Sequence, residues 1–204
     1  MHLGAEFNAS RGAKTEVGSM DEQWKCWLKC RTTASNNPRY FKILEAQISS
    51  FGKPDHFYCD DVSQIPATGK HTPRDEYRNH VEQSVSCLIK IVLAKKPNLI
   101  LVAGSLAFEQ FMAQVFPALC KKKPLAYPIN IVWVRNPSPN GHRGKTEDWI
   151  KRYNDFKKCN YAKNMKDAYR KESVSPGFVF WKMTASKTND HQFRLQPLQN
   201  LSVA

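Results

Sequence analysis

With 204 residues, 41% of them hydrophobic, the chain has enough apolar material to bury one sizeable core, which favours a single globular domain over two. No stretch approaches the roughly 18 to 20 apolar residues of a membrane helix, and the first residues lack the apolar centre of a secretory signal, so an intracellular location is expected. Thirty-one Lys and Arg against eighteen Asp and Glu give a formal charge of +13, a positive field that makes a polyanion, nucleic acid before all others, the expected partner.

In chain order, Leu3 and Phe7 flank Gly4 in "MHLGAEFNASRG", a pattern compatible with a short strand and turn. Residues 8–20, rich in Gly, Ser, Ala and charge, read equally well as a flexible leader, with Met20 as the start of the compact region. Cys26 and Cys30 have the spacing of two metal ligands, but no second close Cys/His pair follows to complete four. The six cysteines are scattered, so free thiols are expected, with no disulfide framework, metal or cofactor. Between Pro38 and Phe51, Tyr40, Phe41, Leu44 and Ile48 recur at near-helical spacing, and Gly52 supplies a stop. "DHFYCDD" reads as a short strand and "VSQIPATGKHTP" as a loop. A helix then starts near Arg74, after Pro73, with Val81, Val85, Leu88, Ile91 and Val92 on its apolar face.

"KKPNLILVAGSLAFEQFM" is a clear strand-to-helix unit: Leu99 to Val102 form a buried run, and Gly104 and Ser105 turn the chain into a helix bearing Leu106, Phe108, Phe111 and Met112. The next strand, Ile131 to Val134, ends abruptly in the polar loop "RNPSPNGHRG", and "TEDWIKRYNDF" reads as the helix after it. Alternating helices and strands predict an α/β domain with a parallel sheet, whose ligands sit at the carboxyl ends of the strands. From Arg135 to Lys182, twelve Lys/Arg outnumber five Asp/Glu, so positive charge is concentrated just after that loop. The end, from Ser173, has one apolar stretch, "GFVFWKM", within an extension expected to be loosely ordered.

Three stretches together resemble the uracil-DNA glycosylase superfamily. "TPRDEYRNHVEQSVSCLIKIVLAKKPNLILVAGSLAFEQF" is similar to its helix and strand-to-helix unit, "VWVRNPSPNGHRGKTEDWIKRY" to its second active-site motif, and "HFYCDDV" falls where the pyrimidine-reading strand belongs. The likeness covers residues 55–158 well and the first 54 poorly. It implies a three-layer α/β/α fold with a central four-stranded parallel sheet, occupying residues 21–172. Residues 1–20 are then a leader or a degenerate first motif, and 173–204 a partly disordered extension. It further implies a monomeric protein of the nucleus or nucleoid that binds DNA, flips out a modified or mismatched base, and hydrolyses its N-glycosidic bond.

Carried onto this chain, the resemblance makes Asn136 the donor to charge developing on the base, where many relatives have histidine. Pro137 and Pro139 stiffen the loop, and Ser138 donates to a phosphate. Arg143 or His142 becomes the wedge entering the duplex, with Arg143 the better suited because it both stacks and holds phosphate, while Arg135, Lys145, Lys151 and Arg152 contact the backbone. "GAEFN" stands for the first motif: Glu6 takes the place of the residue that positions the attacking water, and Phe7 replaces the family's proline. Asp60 falls at the pyrimidine-reading position, with Asp61 as the alternative register, and Trp24 and Trp27 either stack on the flipped base or lie in the core of one helix. Two rivals stand beside this reading: a catalytically inactive nucleic-acid-binding descendant of the fold, and an unrelated nucleotide-binding α/β protein using "VAGSLA" as its phosphate turn.

Overall fold

The structure is a computed structural model, and it describes residues 1–8, 38–53, 58–67, 73–122, 129–138, 141–158, 178–185 and 193–198. In chain order these form β1 (His2–Asn8), α1 (Pro38–Ser49), β2 (Cys59–Ala67), α2 (Arg74–Lys95), β3 (Leu99–Ala103) and α3 (Ser105–Gln110). A π-helical turn (Phe111–Val115) joins α3 to α4 (Phe116–Cys120), and β4 (Ile129–Val134), α5 (Thr146–Lys158), β5 (Phe178–Ala185) and β6 (Phe193–Pro197) follow.

One six-stranded sheet has the order β2-β1-β3-β4-β5-β6, parallel throughout except for β6, which runs antiparallel to β5. Successive side chains of a strand point to opposite faces, and both faces are covered here. Ile100, Val102, Ile131, Phe178 and Phe180 pack with α2, α3 and α4 on one side, and Leu101, Ala103, Val132, Val134, Val179 and Trp181 pack with α1 and α5 on the other. The class is therefore α/β with helices on both faces, but the four-stranded sheet expected from the sequence is too small.

Of the two extra strands, β6 is "FRLQP" and β5 comes from "GFVFWKM", expected to lie in an extension. That run feeds both cores alternately, and Trp181 donates from Nε1 to Asn130 Oδ1 of the neighbouring strand at 3.1 Å. β2 is also longer than its sequence suggested, because "VSQIPA" continues the strand instead of opening a loop. Residues 1–8 are an inner strand between β2 and β3, and residues 9–37, with Trp24, Trp27, Cys26 and Cys30, lie outside the described residues.

The helix from Arg74 starts where Pro73 and the acidic pair Asp75 and Glu76 predict it. It ends at Lys96, whose N–H still donates to the Val92 carbonyl and whose left-handed backbone (φ 45°) then turns the chain out of the helix. No helix among the described residues is long and apolar enough to cross a membrane. Cys87 and Cys120 carry free thiols.

Candidate active site at the carboxyl edge of the sheet

Strand order reverses at β1: the chain moves to β2 on one side and then returns to β3 on the other, and the carboxyl ends of strands at such a switch point are where open α/β sheets take their ligands. Leu3 pairs with Val102 and Val102 with Trp133, so β1 runs on past Ala103 and Val134, where β3 and β4 end. Its last residues continue along β2 alone, Glu6 opposite Ser63 and Asn8 opposite Ala67, with a bulge between the two pairs. The backbone thus carries Glu6 to the same edge of the sheet as the loop that follows β4.

That loop is tied to the exit of β3. Gly104 donates its N–H to the Val134 carbonyl at 2.9 Å, and it holds φ at 97°, a conformation glycine adopts without strain. A side chain at Gly104 would stand 3.3 Å from Asn136 Cβ and 3.6 Å from its Nδ2, so the Asn136 amide lies against the β3 turn. Asn136 Oδ1 accepts the Ser138 N–H at 3.0 Å in an Asx turn. With the amide oxygen held by its own loop, the NH₂ end is the chemical handle left over among the described residues, and it lies beside Gly104.

The carbonyls after this turn are held by side chains. Arg135 Nη1 donates to Gly141 O at 3.2 Å, Arg39 Nη2 to His142 O and, at 2.7 Å, to Gly144 O, and Trp149 Nε1 to Arg143 O at 2.7 Å. Four successive carbonyls are therefore fixed by three side chains from α1, the end of β4, and α5. Gly141 is a glycine for a steric reason, since a Cβ there would collide with the Asn136 carbonyl.

His142, one of the two wedge candidates, is fully buried and cannot enter a duplex. Its ring meets Trp149 edge-on at 4.7 Å, and its Nε2 lies 2.9 Å from the Tyr153 hydroxyl. Burial is the main force lowering its pKa to about 4; Arg135 and Arg39 add to that effect, and the Asn136 and Ser138 carbonyls oppose it. Those carbonyls act on the ring from nearby, yet Nδ1 makes no hydrogen bond among the described residues. Tyr153 also receives Gln47 Nε2 at 2.9 Å, Gln47 Nε2 donates to Arg135 O at 3.0 Å, and Gln47 Oε1 meets His2 Nε2 at 3.2 Å. His2, buried likewise, is pushed down to about 4, again chiefly by burial.

These two neutral rings make stability depend on pH. Each binds its proton less readily folded than unfolded, where its value is about 6.5. Stability is therefore full above about pH 6.5, falls as pH drops towards 4, and loses nothing more from these rings below that. For His2 the shift corresponds to about 3 kcal/mol. Urea denaturation of wild type and His142→Gln across this window checks the sign: the variant, lacking one such ring, should show the shallower slope, and equal slopes would exclude His142 as a contributor.

Five cations, Arg152 half-buried and the others exposed, are arranged around the same loop. Arg135 and Arg152 stack over the Trp149 ring at 5.5 and 4.5 Å. Arg143, Lys145 and Lys151 are exposed. Among the described residues none of these five pairs with a carboxylate. Ser138 is half-buried, and its Oγ accepts the Gly141 N–H at 3.4 Å.

Asp60 does not fit a base-reading role. It pairs with Leu3 on the α2 side of the sheet, where its carboxylate takes up the Tyr58 hydroxyl (3.1 Å), the Asp61 N–H (2.9 Å) and the Gln64 amide (2.9 Å). Asp61, one residue on, points to the other face and sets its carboxylate over Gly4, where a side chain would otherwise stand.

Sequence reasoning did not single out Arg39, Gln47, Trp149, Tyr153 or Gly141, and took Gly104 only as a turn. A signal for Gln47 was present: it lies four residues after Ile43 on the buried stripe Ile43, Leu44, Gln47, Ile48, and a buried amide needs partners. No group of three or more His, Cys, Asp or Glu able to hold a metal occurs among the described residues. Compared with protein-family models, curated proteins and solved structures, the chain matches none of them.

Proposed function

We propose that this α/β chain is a DNA glycosylase-like protein that binds DNA, extrudes a modified or mismatched base to the carboxyl edge of β1 and β3, and hydrolyses its N-glycosidic bond. The observation that carries the reading is the Asn136 amide, whose oxygen is engaged by Ser138 and whose NH₂ end lies at the β3 turn. As the bond between C1′ and the base nitrogen breaks, negative charge gathers on the base, and a donor already aimed at that position stabilises it without reorganising. In this reading Glu6 orients the water that attacks C1′, and the leaving base takes up a proton. Arg135, Arg143, Lys145, Lys151 and Arg152 hold the phosphates, with Ser138 donating from its hydroxyl, and Arg143 alone remains as the wedge.

One observation favours the rival, a DNA-binding protein without activity on the same fold: Phe7 stands where the resembling family has a proline, so the backbone around Glu6 lacks that restraint. The two readings separate in one assay. Duplex and single-stranded oligonucleotides carrying uracil, hypoxanthine, xanthine or a mismatched pyrimidine are incubated with the protein, and abasic sites are then cleaved with alkali. Strand cleavage with one of them supports the enzyme; retardation of the same oligonucleotides without cleavage supports the binding module.

The same assay checks the reassignment of Asp60. With its carboxylate occupied on the α2 side, Asp60→Asn should leave the order of preference among the bases unchanged. A shift towards uracil, whose edge suits an amide, would return Asp60 to the site.

A further inference from the structure

The buried hydrogen bonds that run from β1 to the loop admit one order of protons. The end of the Gln47 amide that lies 3.0 Å from Arg135 O must be the NH₂, because a carbonyl only accepts. Its two protons go to Arg135 O and to Tyr153 Oη. Gln47 Oε1 consequently accepts from His2, which places the His2 proton on Nε2. Tyr153, already accepting from Gln47, directs its own proton to its other partner among the described residues, His142 Nε2. The neutral His142 ring then carries its proton on Nδ1, which makes no hydrogen bond among the described residues.

We propose that Gln47 and Tyr153 are positioning residues that hold His142 in its Nδ1–H form, fix the seat of its ring and, through the adjoining Gly141, keep the Asn136–Ser138 turn in place and the Asn136 amide aimed at the substrate. The ring so seated anchors its neighbour Gly141, whose N–H donates to the Ser138 carbonyl at 3.0 Å and whose Cα rests against the Asn136 carbonyl. The opposite tautomer leaves the Tyr153 hydroxyl proton without an acceptor among the described residues, which loosens the seat of the ring and with it the turn. Because Asn136 is bonded within the same turn to Ser138, its amide moves with it. The catalytic half of this inference rests on the glycosylase reading; the tautomer and the placement of the amide do not.

The test uses the full chain labelled with ¹⁵N. Two-bond ¹H–¹⁵N correlations of the His142 ring should show a protonated Nδ1 and an unprotonated Nε2 in the wild type. Tyr153→Phe removes the donor to Nε2, and Gln47→Leu frees Tyr153 from its fixed orientation. Both should move the ring towards the Nε2–H form and shift the Asn136 side-chain NH₂ resonances. If the wild-type protein excises a base, both variants should lower the rate on the order of 10- to 10²-fold with DNA affinity kept, the size expected for a slightly misplaced group. An Nε2–H ring in the wild type overturns the relay, and this measurement needs no variant to fold. Unmoved Asn136 resonances in a folded variant with an altered tautomer overturn the positioning role, as does unchanged turnover in an active protein. Absence of excision by the wild type counts against the glycosylase reading alone, and the ring and amide resonances still decide the relay.

Discussion

Asn136→Ala should lower base excision by about 10² to 10³ while leaving DNA affinity nearly unchanged, the typical cost of removing one preorganised donor to a developing oxyanion. The split follows from when the amide acts. In the ground state the base oxygen is a neutral carbonyl, well served by water or by any donor; charge builds only as the glycosidic bond opens, and an interaction made chiefly then appears in turnover rather than in binding. Asn136 is suited to that part because its Oδ1 is already spent on Ser138 and its Cβ rests against the Gly104 turn, so the NH₂ has little freedom to lose. Asn136→Asp keeps the shape and the acceptor for Ser138 but replaces the donor with charge of the wrong sign, and should be at least as damaging as alanine. Excision rates under single-turnover conditions, measured beside binding to the same oligonucleotide, separate the two effects. Equal losses in rate and affinity would make Asn136 a residue that positions DNA, and the charge-stabilising role would fall.

What the sequence disclosed about this site divides according to distance along the chain. The loop "RNPSPNGHRG" was legible because a buried apolar run ends there in turn residues, a local signal, and β3, β4, α2 and α5 were legible for the same reason. The sheet's size was not, because whether "GFVFWKM" adds to the sheet depends on β4, some fifty residues earlier, offering an open edge. His142 was misjudged by the same limit. A histidine between glycine and arginine in a polar loop looks solvated, and only Tyr153 and Trp149 on α5, which pack against it, show that it is buried. Asp60 and Asp61 illustrate a finer failure: adjacent strand residues face opposite ways, so a register uncertain by one residue leaves open which aspartate faces which helices.

DNA affinity should fall on the order of 10²- to 10³-fold between about 50 and 200 mM salt, because five phosphate contacts give a slope of log affinity against log salt near −4.5 on duplex DNA. The five are Arg135, Arg143, Lys145, Lys151 and Arg152, none of which has a carboxylate partner among the described residues and two of which are steadied by the Trp149 ring. Glu147 and Asp148 lie in the first turn of α5, beside Lys145, where the helix dipole stabilises them and where their charge subtracts from the local field. Arg143→Ala and Lys151→Ala should each reduce the slope by about one, since each removes one cation that displaces counterions. Arg39→Ala supplies the contrast. Its guanidinium is spent on the His142 and Gly144 carbonyls, so its loss should loosen the loop and weaken binding at every salt concentration without changing the slope. A salt titration of all four proteins on one undamaged duplex distinguishes these outcomes. A wild-type affinity that stays flat across that range would remove DNA as the partner, and a slope lowered by Arg39→Ala as much as by Arg143→Ala would mean that the clamp on the loop also meets phosphate.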